Sequence, residues 1–135
     1  SPLMEPRIIN IKKIVGEGIL SIIDKQNNLP FEIKRVFYVY DIPNNTKRGG
    51  HAHKFLKQFI WAINGDLEIT TISKLGKTNS FILDSPDKGL FIPEMIWSYQ
   101  ITKSENTIYC VAASSYYDES EYIRNWDEFQ KLIET

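Results

Sequence analysis

The stretch RGGHAHKFLKQFIWAING, residues 48–65, decides the fold. It contains both histidines of the chain, His51 and His53. In an extended segment residues i and i+2 point to the same face, so the two imidazoles project together, either into a barrel or into water. The paired glycines before them let the backbone bend tightly. This pattern favours a functional site, with a surface or packing pair as the alternative.

The second half of the stretch predicts a β-hairpin. Asn64-Gly65-Asp66 separates two runs rich in apolar, β-branched and aromatic residues, 59–63 and 67–73, and Asn-Gly is a strong signal for a tight turn. Elsewhere, similar short runs alternate with clusters of Gly, Pro and Asn, and residues 41–50 are expected to form a loop. The further expected strands cover residues 8–15, 19–24, 34–40, 80–83, 90–92 and 107–114.

The last part of the sequence changes its period from strand to helix. Apolar residues there recur at three- and four-residue spacing, which predicts one helical stripe. Its members are Tyr122, Ile123, Trp126, Phe129, Leu132 and Ile133. Regularly spaced strands followed by one helix indicate an all-β fold, an antiparallel sandwich or barrel with a C-terminal α-helix. The edge strands of so small a barrel also favour a homodimer.

Composition and charge limit the classes of function. The chain has 135 residues, 42% hydrophobic and 24% charged, so we expect a single soluble domain over residues 1–135. Ser1-Pro2-Leu3 before Met4 is typical of a cloning remnant and is left out of the fold. A net charge of −1 argues against nucleic-acid binding, and no apolar run is long enough to span a membrane. Cys110 is the one cysteine and no secretory signal is visible, so we expect a cytoplasmic protein.

The spacing around the histidines resembles that of metal-binding cupins. In those proteins a glutamate follows the H-x-H pair after three or four residues, and a glycine follows six residues later. Here Gln58 stands in the place of the glutamate, ahead of Gly65. The second cupin motif, Pro-x-Gly-x-x-His, corresponds to residues 93–98 and ends in Ser98. Divalent transition metals need anionic or imidazole ligands, so we expect a cupin jelly roll with no bound metal and no cofactor.

Four segments extend the resemblance over nearly the whole chain. They are RGGHAHK (residues 48–54), KRVFYVYD (34–41), GLFIP (89–93) followed by Trp97, and YYDESEYIRNWDEF (116–129). Together they resemble the sugar 3,4-ketoisomerases that act on dTDP-4-keto-6-deoxyglucose. The resemblance implies a metal-independent cupin isomerase, usually a dimer. Such enzymes supply 3-keto sugars to aminotransferases for the amino sugars of surface polysaccharides such as O-antigen.

The residues can carry the chemistry that this resemblance implies. Moving the carbonyl from C4 to C3 requires removal of the C3 proton, an enediol and delivery of a proton to C4. A neutral imidazole is a suitable base near neutral pH. The match places His51 as that base, and His53 would relay a proton or polarise an oxygen. The enediolate oxygen also needs nearby hydrogen-bond donors.

Further side chains are candidates for substrate binding. Arg35 and Arg48 have the planar fork that suits a pyrophosphate, with surface salt bridges as the alternative. Trp97 would stack on thymine or line the barrel mouth, with plain core packing as the alternative. Tyr38 comes from the aromatic strand. The predicted substrate-binding set is Arg35, Tyr38, Arg48, Gln58, Trp97 and Ser98.

Two departures from the relatives leave alternatives open. Glu17 lies where relatives often carry D-x-R-G, and Ser98 lies where they place histidine or another basic residue. The galacto or gluco configuration of the product therefore stays undetermined. The rival functions are a metal-dependent cupin enzyme and a non-catalytic cupin that binds a nucleotide sugar. Exchange of substrate protons with solvent separates a catalyst from a binder.

Overall fold

Short runs of β-branched and aromatic residues form the strands of this protein, as their propensities favour. The computed structural model describes residues 4–133, so the first three residues lie outside it. Within that range the strands are, in chain order, β1 (Arg7–Asn10), β2 (Lys12–Val15), β3 (Ile19–Ile22), β4 (Arg35–Val39), β5 (Lys47–His53), β6 (Gln58–Asn64), β7 (Leu67–Ile72), β8 (Thr78–Leu83), β9 (Lys88–Ile92), β10 (Trp97–Thr102), β11 (Ile108–Ala113) and β12 (Tyr122–Ile123). Helix α1 (Trp126–Ile133) follows, and short 3-10 turns lie at Lys25–Asn27 and Glu119–Glu121.

Two five-stranded antiparallel sheets make the body of the fold. Their strand orders are β1-β9-β6-β11-β4 and β12-β5-β10-β7-β8. Strands β2 and β3 form a separate two-stranded hairpin, so the predicted strand over residues 8–15 divides at Ile11. The predicted all-β jelly-roll barrel with a C-terminal helix is confirmed. None of the helical segments in the described range has the length and apolar character that crossing a membrane requires.

The main hydrophobic core lies between the two sheets. Leu67 and Ile69 of β7 alternate with half-buried residues, and both are fully buried against Ile60 of β6 and Leu90 of β9. Each such side chain contributes about 1.5–3 kcal/mol through its burial. This core fills one end of the barrel, and the other end is left for polar side chains.

Helix α1 covers the outer face of the second sheet. Phe129 is fully buried there against Ala52, Trp97 and Ile123. The helix begins after Asn125, whose side-chain oxygen accepts the Glu128 N–H at 3.0 Å and caps the first turn. The prediction that Tyr122 and Ile123 belong to the helical stripe is wrong, because both pair with β5 as strand β12.

Two strand segments near the histidines differ from the prediction. Strand β5 begins at Lys47, inside the expected loop over residues 41–50. Strand β10 has no counterpart among the predicted strands. Its inward face carries Ser98, Gln100 and Thr102, all buried, so its pattern of polar and apolar residues is the reverse of an ordinary half-buried strand.

Candidate active site

A cavity of about 180 Å³ opens between the two sheets at the polar end of the barrel. Phe37, Val39, Ile60 and Val111 give it an apolar wall. Its polar lining consists of Arg48, His51, Gln58, Gln100, Tyr109, Tyr122 and Arg124.

A β-bulge in β5 brings two of these residues to the same side. Opposite β10, Ser98 pairs with His51 and Tyr99 pairs with Gly49, so Gly50 is the extra residue. In a regular strand, residues three apart point to opposite faces, but one bulged residue restores a common face. Gly49 and Gly50 have φ angles of +90° and +87°, which glycine adopts with little strain. Arg48 and His51 therefore both line the cavity.

The two histidines face the interior of the barrel, which excludes the alternative of a surface pair. His53 is 6% exposed, and its ring centroid lies 4.9 Å from that of His51. Tyr122 packs on both rings, at 5.1 Å from His51 and 4.4 Å from His53. Nε2 of His53 lies 3.3 Å from the amide nitrogen of Gln58. One side of the cavity is thus a packed group of imidazole, phenol and amide.

Burial keeps both imidazoles neutral. It lowers the pKa of His51 to about 4, and the positive charge of Arg124 acts in the same direction while Glu119 opposes it. Burial, followed by the charges of His51 and Arg35, lowers the pKa of His53 to about 3. At neutral pH each ring therefore has one unprotonated nitrogen, which is the form that a general base requires.

These lowered pKa values predict an acid-tolerant enzyme. If His51 is the base, kcat/KM should stay level from pH 8 down to about 5 and fall as the pH approaches 4, whereas an ordinary histidine would cause the fall near 6.5. Initial rates across this range measure the profile.

The same shifts make the stability of the protein depend on pH. In the unfolded chain the histidines bind protons below about pH 6.5, whereas in the folded protein His51 does so only near pH 4. The free energy of unfolding therefore has its full value above about pH 6.5 and decreases as the pH falls toward 4. Circular dichroism at each pH separates this loss from titration of the base, and a midpoint near 6.5 in folded protein would contradict the assignment.

The segment before α1 closes one side of the cavity. The sequence analysis did not predict that its residues belong to the site. Arg124 holds Glu119 through two bonds, of 2.6 and 3.0 Å, and the Tyr117 hydroxyl donates to the same carboxylate at 2.6 Å. The Arg124 bonds, with that of Tyr117, lower the pKa of Glu119 to about 2. The Arg124 guanidinium lies 4.2 Å from the ring centre of Tyr122. We call residues 117–124 the tail. The alternation of Tyr122 and Arg124 around a buried Ile123 is the signal that could have revealed it.

Two predicted arginines lie close to the site. Nε and Nη2 of Arg35 are buried and have no hydrogen-bond partner within residues 4–133. The Arg35 guanidinium lies 5.2 Å from the ring centre of Phe37 and 5.7 Å from that of Tyr117. The pKa of Tyr109 is raised because its ring is buried, although the nearby Arg48 acts in the opposite direction. Tyr109 therefore keeps its proton at neutral pH and can donate it in a hydrogen bond.

The structure does not bring every predicted residue to the cavity. Tyr38 is 63% exposed on the outer face of β4, where it stacks on Tyr40. Trp97 points away from the cavity and packs against Trp126, at 5.2 Å between ring centres, so it takes the alternative role of core packing. Ser98 is buried on the inward face of β10, opposite His51 in the strand register. Gln58 lines the cavity as expected.

Apart from Glu121, the side chains nearest the histidines are poor transition-metal ligands. Within the described range there is no cluster of three or more His, Cys, Asp or Glu side chains with the geometry of a metal site. The amide of Gln58 contacts His53 at the place where the resembling cupins carry a carboxylate. Amide and hydroxyl groups hold such metals weakly, so the donor set does not fit a metal centre.

We next compared the chain with known protein families. The family model described as "FdtA: WxcM-like, C-terminal" matches residues 4–134. The chain belongs to the FdtA family. It is 39% identical over 131 residues to the TDP-4-oxo-6-deoxy-alpha-D-glucose-3,4-oxoisomerase of Aneurinibacillus thermoaerophilus, covering 96% of this chain and 94% of that protein.

Solved structures of ketoisomerases share the fold of this FdtA-family chain. One is QdtA, a sugar 3,4-ketoisomerase from Thermoanaerobacterium thermosaccharolyticum in complex with TDP, at 32% identity and a TM-score of 0.90, covering 98% of this chain and 97% of that one. Another is WlaRA, a TDP-fucose-3,4-ketoisomerase from Campylobacter jejuni, at 37% identity and a TM-score of 0.90, covering 96% of each chain. The expected cupin fold and the expected identity as an isomerase of the sugar 3,4-ketoisomerase family are confirmed.

Proposed function

We propose that this FdtA-family isomerase converts dTDP-4-keto-6-deoxyglucose into a dTDP-3-keto-6-deoxyhexose. The observation that carries the proposal is the pair of neutral imidazoles packed beside a small polar cavity. The names of the relatives support the substrate class, and a histidine-to-asparagine variant of QdtA has been solved in complex with TDP-4-keto-6-deoxyglucose. A non-catalytic binder would not need a buried, neutral base.

His51 would start the reaction, because its ring lines the cavity. Its lone pair takes the C3 proton, and the electrons of the broken C–H bond move to the C4 carbonyl oxygen to give an enediolate. The proton of the C3 hydroxyl passes to the C4 oxygen, and the proton held by the imidazole is returned to C4, so the ketone ends at C3 with no net gain of protons or electrons. Tyr109 and Gln100 carry donors that would stabilise the enediolate oxygen. His53 would relay the proton.

The size of the cavity suggests how the substrate would lie. Pockets for whole drug-sized ligands measure about 300–1,000 Å³, and this one measures about 180 Å³. The sugar ring would therefore enter the cavity, and the nucleotide would lie at its mouth. Arg35 and Arg48 would bind the pyrophosphate, whose two charges match the planar guanidinium forks.

Proton NMR in deuterated buffer tests the function directly. Wild-type protein with dTDP-4-keto-6-deoxyglucose should produce the 3-keto isomer and incorporate solvent deuterium. TDP binding without any deuterium incorporation would instead support the non-catalytic nucleotide-sugar binder. The same spectra reveal whether the product has the galacto or gluco configuration.

The donor set at the histidines leads us to propose that the reaction needs no metal. Gln58 and Ser98 replace the carboxylate and imidazole ligands of the resembling cupins. Elemental analysis of protein purified without chelators or a metal-affinity tag should find no stoichiometric transition metal, and chelators should leave the rate unchanged. A full equivalent of iron, zinc or manganese, with activity lost on chelation, would support a metal-dependent cupin enzyme.

We further propose that the enzyme is a homodimer that uses the hairpin β2-β3. Its side chains Ile14, Val15, Ile19 and Leu20 are each more than half exposed, and each strand has an open edge within the described structure. A hollow of about 650 Å³ lies between this hairpin and the outer face of the first sheet. Apolar groups and open strand edges of this kind are usually covered by a partner.

Light scattering at micromolar concentration should give the mass of a dimer. Leu20→Glu should then halve the mass, because a buried charge at an apolar interface is costly. Leu75→Glu, in an exposed turn between β7 and β8, is the matched control and should leave the mass unchanged. A wild-type monomer that stays active on dilution would refute the dimer.

The chemistry of the product suggests where the reaction belongs. A 3-keto sugar is a substrate for transamination, so an aminotransferase would follow, on a route to the amino sugars of surface polysaccharides. We place this step in the cytoplasm, in keeping with the single cysteine, Cys110.

A further inference from the structure

Glu121 lies where the tail crosses the strand that carries the histidines. Strand β12 runs antiparallel to β5, and the Glu121 carbonyl accepts the Lys54 N–H at 3.0 Å. The Glu121 carboxylate is only 10% exposed and accepts the backbone N–H groups of Phe55 and Leu56, at 2.9 and 2.8 Å. These hydrogen bonds fix the position of the negatively charged carboxylate.

The same carboxylate faces the inner histidine. Oε1 of Glu121 lies 3.7 Å from Nδ1 of His53, which is buried and has no hydrogen-bond partner within residues 4–133. The other ring nitrogen, Nε2, lies 3.3 Å from the amide nitrogen of Gln58. Because burial lowers the pKa of His53 to about 3, the ring is neutral and carries a single proton. The contact therefore joins a carboxylate to a neutral imidazole and is not an ion pair.

We propose that Glu121 is a positioning residue that keeps the His53 proton on Nδ1. An ionised carboxylate only accepts hydrogen bonds, so it attracts an N–H at Nδ1 and repels a lone pair there. Nε2 is then the unprotonated nitrogen, directed at the amide of Gln58, which lines the cavity. The His53 lone pair is thereby directed toward Gln58, the residue that separates it from the cavity. The kinetic effect of Glu121 rests on the proposed function, whereas the position of the proton follows from contacts of the free protein.

NMR of the free protein tests the position of the proton. Long-range ¹H–¹⁵N spectra at pH 7 show which ring nitrogen is protonated, and with two histidines in the chain a His51→Asn sample identifies the His53 signals. We expect the Nδ1–H tautomer in the wild type. In Glu121→Gln we expect the Nε2–H tautomer to gain population and kcat to fall by about tenfold or more, with KM little changed.

Two more variants separate charge from structure. Glu121→Asp keeps the carboxylate and should keep the Nδ1–H tautomer; it decides the question if Glu121→Gln does not fold. Glu128→Gln removes an exposed carboxylate from α1 and should change neither tautomer nor kcat.

An Nε2–H tautomer in the wild type would overturn the proposal. So would a Glu121→Gln protein that keeps Nδ1–H, even with a lower kcat, because Glu121 would then only anchor the tail. If the wild type shows Nδ1–H but does not isomerise the substrate, the proposed function fails and the structural role of Glu121 stands.

Discussion

Replacing His51 with asparagine should lower turnover by roughly 10²- to 10⁴-fold or more, the usual contribution of a general base. Asparagine keeps the approximate size and some hydrogen bonding but has no basic nitrogen. The affinity for TDP should change little, because the nucleotide would lie at the mouth of the cavity. The measurement is product formation together with deuterium incorporation at C3, and calorimetric titration gives the TDP affinity.

The matched variant His53→Asn distinguishes the roles of the two histidines. It should also slow turnover, but exchange of the C3 proton should persist if His53 acts after the enediol forms. If His51→Asn exchanges and isomerises at near wild-type rates while His53→Asn does neither, the two roles are inverted. Full activity in both variants would mean that the buried pair is structural.

Replacing Arg35 with methionine should weaken TDP binding and at the same time stabilise the free protein. Two buried guanidinium nitrogens of Arg35 have no hydrogen-bond partner in the described chain, and a buried charge without a counter-charge costs free energy. A charge-assisted hydrogen bond is worth about 1.5–3 kcal/mol, so Kd for TDP should rise about 10- to 100-fold. Tm should rise by about 3 °C or more, the shift that about 1 kcal/mol produces in a chain of this size.

Calorimetric titration with TDP and thermal melts of the free protein measure the two effects. Arg7→Met is the control, because Arg7 is exposed and lies over Phe91 on the outside of the barrel, 5.5 Å from its ring centre. An unchanged Kd in Arg35→Met would show that Arg35 does not bind the pyrophosphate. A lower Tm with an unchanged Kd would mean that its packing on Phe37 and Tyr117 is purely structural.

Most of the barrel could be predicted because its strands face an ordinary core. Strands β4, β6, β7 and β11 have the β-branched and aromatic residues that pack on a pleated surface, and all four were expected. Strand β10 could not be recognised, because beside the cavity the polar side chains of Ser98 and Gln100 point inward. The alternation of polar and apolar residues identifies a strand only when its inward face is apolar, and a strand that lines a polar cavity does not follow it.

The candidate site could be predicted in part for a similar reason. The histidine pair stood out because their spacing in a strand gives them one common face. The tail residues Tyr122 and Ile123 were assigned to the helix because Tyr122 precedes Trp126 by four residues and Ile123 precedes it by three, whereas pairing with β5 makes them a strand. Tyr38 was expected near the substrate because the inward face of β4 could not be chosen from sequence alone, and Trp97 because it follows a segment that carries the family resemblance.

The bulge at Gly50 makes the length of this segment as important as its composition. Loss of that single codon would leave Arg48, His51 and His53 all present in the gene. Yet with the regular two-residue alternation restored, Arg48 and His51 would point to opposite faces, so Arg48 would leave the cavity while His51 stayed in it. Homologues compared by residue identity alone would look intact after such a deletion. We therefore expect deletion of Gly50 to impair the site, although every side chain of the site would still be encoded.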